Sequence, residues 1–163
     1  MDSSKMTNFA GWKKWCSSTV EDAPRTPGVY VFRLAGEQAF RRLKGESDLL
    51  YIGSTIKGKR TVRDRLKDHL SPGKLARNIG YRLRRVRQEV SPIEVSWKTF
   101  DSHAEAKNQE RMLLASYEKD HIEFPPLNRQ EAGKKVRQGI ELVEQVPSSQ
   151  QKELFAKILT QQE

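Results

Sequence analysis

Apolar and polar positions change period several times along the chain, and each change predicts an element. Residues 28–34 (GVYVFRL) and 49–54 (LLYIGS) are short runs rich in branched and aromatic side chains, and both read as strands. The polar stretch Ala35–Asp48 joins them, longer than a tight hairpin loop, and an antiparallel pair is expected. A third strand is expected at IEVSWKTF, residues 93–100, after Ser91-Pro92 breaks the helix before it. Elsewhere the period lengthens. Residues 61–70 (TVRDRLKDHL) put Val62, Leu66 and Leu70 on one helical stripe, stopped by Ser71-Pro72-Gly73. A strongly basic helix is expected from about Lys74 to Glu89, and a long one from a cap at Asp101 or Ser102 to about Lys119. Phe9, Trp12 and Trp15, spaced by three, suggest a short helix over residues 7–17. Two successive prolines make HIEFPPLN, residues 121–128, an extended loop. The tail from Gly133 is polar. Ser148 or Ser149 would cap a last helix in which Leu154 stacks on Ile158 and Phe155 on Leu159.

Two helices carry polar residues where an apolar stripe belongs. At about 100° per residue, His69 falls inside the stripe of Val62, Leu66 and Leu70 and Arg65 falls on its border. Asp64, Lys67 and Asp68 face away, as solvated charges should. On the longer helix Glu110 lies in the middle of the face made by Ala106, Leu113, Leu114 and Tyr117. A carboxylate there is costly unless it is paired or binds a metal. The simplest pairing is an ion pair with Arg65. The functional reading is a cation ligand with an arginine nearby, and magnesium needs few protein carboxylates.

With 163 residues, 36% hydrophobic and 31% charged, the chain suits one soluble globular domain with short appendages. Its longest apolar runs, Val29–Phe32 and Leu49–Ile52, fall far short of the roughly 20 residues of a membrane span. No apolar h-region opens the chain, so no secretory signal is expected. Cys16 is the only cysteine, which excludes an internal disulfide and a thiolate zinc cluster. It suits a reducing compartment, and a cytoplasmic location is expected.

The net charge of +9 has one source. Residues 54–90 hold 12 Lys and Arg against 3 Asp and Glu, and the other 126 residues balance at 18 of each. So localised a field suits a polyanion, because neutralised phosphates release counterions. The plainer reading is a solvated helical face. The candidate phosphate contacts are Lys57, Lys59, Arg60 and Arg63, then Arg77, Arg82, Arg84, Arg85 and Arg87 on the basic helix. The last five spread too widely around that helix for all to touch one duplex.

Taken together and in order, these motifs resemble the GIY-YIG nuclease superfamily over residues 27–129. Gly28-Val29-Tyr30 is similar to the first signature, with valine for isoleucine, and Tyr51-Ile52-Gly53 matches the second. Arg65, His69, Glu110 and Asn128 follow where the family carries its arginine, histidine or tyrosine, glutamate and asparagine. Two departures stand out. Tyr51 and Arg65 are 14 positions apart, with KGKR inserted, and Ser54 stands where some members carry lysine. The resemblance implies a mixed α/β domain, a small three-stranded antiparallel sheet flanked by helices, over residues 27–130. A helical extension (1–26) would precede it and a polar, helical tail (131–163) would follow. It also implies a divalent-metal-dependent endonuclease holding one Mg²⁺ or Mn²⁺ on Glu110. Arg65 would stabilise transition-state charge. Tyr30 or Tyr51 would take the proton of the attacking water, His69 would orient water or tyrosine, and Asn128 would hold the site together. The implied partner is DNA, with repair and restriction roles both open and RNA not excluded; restriction would favour a homodimer. The insertions Ala35–Asp48 and Ile56–Arg60 are the first places to seek base-reading loops. A non-catalytic nucleic-acid-binding module on the same fold is the alternative, although such a module would be expected to lose part of the set.

Overall fold

The computed structural model describes Met6 and residues 8–55, 60–71 and 79–128. Lys57, Lys59, Arg77 and the expected tail helix lie outside the described residues. The chain divides after Asn128, and every described residue belongs to the part before it. In chain order the elements are β1 (Lys13–Lys14), α1 (Ser17–Glu21), β2 (Gly28–Leu34), β3 (Phe40–Arg41) and β4 (Glu46–Ser47). Then come β5 (Leu49–Ser54), α2 (Val62–Leu70), α3 (Ile79–Glu89), β6 (Ile93–Thr99) and α4 (His103–His121). The fold is mixed α+β, and all strand pairs are antiparallel. Among the described residues, no helix is long and apolar enough to cross a membrane.

The main sheet has four strands, in the order β1-β6-β2-β5, where three were expected. The fourth replaces the helix expected over residues 7–17. Ala10 N donates to Trp97 O (2.8 Å) and Trp15 N to Ile93 O (2.9 Å), so this segment lies along the outer edge of β6. An open edge leaves a row of backbone donors and acceptors unpaired, and satisfying it outweighs a weak local helical pattern. Trp15 is thereby driven into the core, edge-on to Phe32 with ring centroids 5.2 Å apart. The polar stretch 35–48 holds a second, two-stranded sheet of β3 and β4. Arg42 braces it against the end of α4 through Glu123 (2.8 Å) and the carbonyl of Phe124 (2.7 Å).

Central strand β2 is covered on both faces, which is why its apolar run is almost unbroken. Tyr30 and Phe32 pack with Val62 and Leu66 of α2 and Leu83 of α3. Val29 and Val31 pack with Ile52 and with Ala106, Leu113, Leu114 and Tyr117 of α4. The other flank of the sheet ends at β5. There Leu127 N donates to Leu50 O (3.1 Å), and the Asn128 side chain does what a neighbouring strand would do. Its Oδ1 accepts from Ile52 N (3.0 Å) and its Nδ2 donates to Ile52 O (2.8 Å).

Asn128→Ala should therefore cost about 2–4 kcal/mol in urea unfolding, since it strips partners from two buried backbone groups. A change under about 0.5 kcal/mol, within the range of neutral surface substitutions, would show that this amide does not hold the strand edge.

Candidate active site

The site begins with a missing side chain. Antiparallel register sets Tyr30 opposite Gly53 and Phe32 opposite Tyr51, so both tyrosines project from the face that meets α2. A Cβ on Gly53 would lie 2.6 Å from Cε1 of Tyr51 and 2.8 Å from both Cζ and the hydroxyl of Tyr30. Only glycine leaves room for the two rings, whose centroids are 6.2 Å apart. His69 closes the group from α2. Its ring lies 5.5 Å from Tyr30, 5.8 Å from Phe32 and 5.9 Å from Tyr51, with Nε2 3.0 Å from the Tyr30 hydroxyl.

Both ends of α2 are pinned, which sets where His69 and Arg65 point. At its start Thr61 and Asp64 form a reciprocal capping box. At its end Arg84 donates to the carbonyls of His69 (3.1 Å) and Ser71 (2.6 Å). Gly80 lets α3 come close there, since a Cβ would lie 2.5 Å from His69 O. Burial, followed by the charge of Arg65, lowers the His69 pKa to about 3, so the imidazole is neutral. Burial raises the Tyr30 hydroxyl, while the charge and hydrogen bonding of Arg65 oppose that rise. It raises Tyr51 well above the ordinary tyrosine value, and the charges of Tyr30 and Glu110 add to the effect.

Glu110 reaches the same place from the other side of the sheet. Ser54 pairs with Val29 and so faces α4, and its hydroxyl donates to Glu110 Oε2. Lys107 Nζ shares that oxygen at 2.8 Å. The ion pair with Arg65, the plainer alternative to a cation ligand at Glu110, does not form: Arg65 Nη1 pairs instead with Asp68 at 3.3 Å and reaches Tyr30. Three residues along one helix make Lys107 the nearer cation, whereas Arg65 stands on the opposite face of the sheet. Glu110 is only 5% exposed, and both of its hydrogen bonds fall on Oε2.

The structure thus brings Tyr30, Tyr51, Arg65, His69 and Glu110 to one end of the β2–β5 pair. The two tyrosines do not open equally to water. Tyr30 is wholly buried, and Tyr51 is the partly exposed one. Asn128 spends both its hydrogen bonds on Ile52, between Tyr51 and Gly53, and so holds the strand that carries them. Among the described residues, no three His, Cys, Asp or Glu side chains gather as metal ligands. A single carboxylate can still anchor magnesium, which fills its remaining positions with water and phosphate oxygens. Sequence reading missed Lys107, and took Ser54 only as a departure from the family pattern rather than as a partner of Glu110. A lysine three residues before a carboxylate on one helix was the available signal.

The basic residues are more committed than their count suggests. Arg60 pairs with Asp68, and Arg85 with Glu89 at 2.5 Å. Arg63 donates to Ala23 O (2.8 Å), and Arg82 is partly buried. Arg84 caps α2, and Arg87 stacks over Trp15 at 5.0 Å, so these two serve the fold. Exposed ion pairs are weak and can exchange a carboxylate for a phosphate. Arg60 and Arg85 stay free to do so.

Gly53→Ala should destabilise the protein by about 1–3 kcal/mol in urea unfolding and alter near-ultraviolet circular dichroism, because it overpacks two rings. Wild-type stability in that assay would mean the tyrosines can move apart without penalty. His69 gives a pH signature. Its pKa is about 3 folded against 6.5 for a free imidazole. Below pH 6.5 the unfolded chain therefore takes up a proton that the folded one refuses. Stability attributable to this group falls by up to about 1.4 kcal/mol per pH unit from pH 6.5 down towards 3, and is unaffected above that window. His69→Gln should show a shallower acid decline than wild type; identical slopes would exclude a buried neutral imidazole.

In comparison with known proteins, no family model, no curated protein and no solved structure matches this chain.

Proposed function

We propose that this protein is a divalent-metal-dependent endonuclease of the GIY-YIG type, hydrolysing phosphodiester bonds in DNA. The observation that carries this reading is the meeting of Tyr30, Tyr51, Arg65, His69 and Glu110 around the side-chain gap at Gly53. A core needs no such set. Five polar groups from two strands and two helices are expensive to gather unless they act together.

Each residue has a task that its surroundings support. Tyr51, the less buried of the two tyrosines, is the hydroxyl that meets the attacking water. It relays the water's proton on to solvent, while Tyr30, 3.0 Å from Nε2 of neutral His69, is held in place beside it. The attacking water loses one proton and bulk water gains it. Because burial raises both tyrosines, neither is ionised beforehand, and the relay runs only as the water attacks. Arg65 places a fixed charge beside the forming phosphorane. Glu110 would hold the divalent ion, which when bound supplies Lewis-acid stabilisation of the phosphate and leaving oxygen. Tolerance of Arg60 and Arg85 for exchanging partners supports a phosphate track along α2 and α3.

The test is incubation of the purified protein with Mg²⁺ or Mn²⁺ and supercoiled, single-stranded or branched DNA, with RNA alongside. Wild type should nick at least one DNA form and Glu110→Ala should not. Arg65→Ala should keep DNA affinity within a few-fold while cutting falls by about 10²-fold or more. Tight binding without cutting under either metal would support the binding module instead.

A further inference from the structure

Glu110 already carries a cation, and the chain supplies it. Lys107 Nζ stands 2.8 Å from Oε2, an oxygen that also accepts from Ser54. The two side chains differ sharply in surroundings: the carboxylate is 6% exposed and the lysine 25%. A buried carboxylate left alone would demand a counter-charge. With an ammonium on it, that demand is met before any metal arrives.

We infer that Lys107 is the built-in counter-ion of the metal site, holding Glu110 in the metal-free protein and yielding the carboxylate to a divalent ion on loading. This rests on the reading of Glu110 as a metal ligand. A dication on Oε1 would sit within a few ångströms of an ammonium on Oε2, and like charges so close in a poorly solvated site repel strongly. Lysine can resolve this where arginine would not. Its head is a compact charge on a flexible stem, and its partial exposure gives it water to move into. Ser54 stays behind. Its hydroxyl keeps Oε2 aimed along the end of β5 in both states, so exchanging the cation need not move the carboxylate. The arrangement sets metal affinity lower than a lone buried carboxylate would give, and makes loading an exchange of cations.

The full chain is titrated with Mn²⁺, reading the free ion by its electron paramagnetic resonance signal at fixed ionic strength. Lys107→Gln keeps a donor of similar reach and removes the charge. It should bind Mn²⁺ about tenfold more tightly than wild type, a coupling of the size contacting charges show. Lys107→Arg should bind no more tightly than wild type. A gain above wild type is the decisive reading, because a purely structural lysine, when lost, could only weaken the site. Lys107→Ala is read in the same way should the amide variant not fold. Unchanged or weaker binding in the neutral variants, with Glu110→Gln abolishing it, would overturn the counter-ion role and leave the metal ligand standing. Wild-type binding by Glu110→Gln would overturn both.

Discussion

Gly53 faces Tyr30 across the β2–β5 pair, and the space left by its absent side chain is where two tyrosine rings come together. Any Cβ at this position meets ring atoms closer than carbon atoms tolerate. The consequence extends past packing. With the rings in place, His69 can enter between Tyr30, Tyr51 and Phe32, where water is excluded and imidazolium is disfavoured. One backbone register therefore sets both the positions of three side chains and the protonation state of one.

The strand that bears Gly53 is an edge strand, so its own position needs support. Asn128 gives it by pairing both polar groups of Ile52, at the residue between Tyr51 and Gly53. On the opposite face Ser54 and Lys107 fix Glu110. Glu110 influences the tyrosine hydroxyls by its charge, while its hydrogen bonds go to Ser54 and Lys107.

The positive charge of residues 54–90 serves two masters. Arg84 and Arg87 turn inward, one capping α2 and the other lying on Trp15, so part of the basic helix builds the platform for His69. Arg60 and Arg85 remain at the surface in exchangeable ion pairs. A charge count alone would have assigned all four to a polyanion.

Much of the molecule was legible in the residues themselves. Alternation and β-branching marked β2, β5 and β6, helical spacing marked α2 and, with a cap offered at Asp101 or Ser102, α4, and His69 and Glu110 were visible as polar residues on apolar stripes. These are local properties, fixed by steric and hydrophobic periods over a few residues. What the chain could not disclose was which distant groups would meet. Strand β1 exists because β6 has an edge to satisfy, and Lys107 takes Glu110 because Arg65 lies beyond the sheet. Tyr30 and Tyr51 are chemically alike in sequence and differ only in the depth at which the packed helices leave them. Such choices depend on three-dimensional neighbours and solvent access, quantities that come into being only when the elements close on one another.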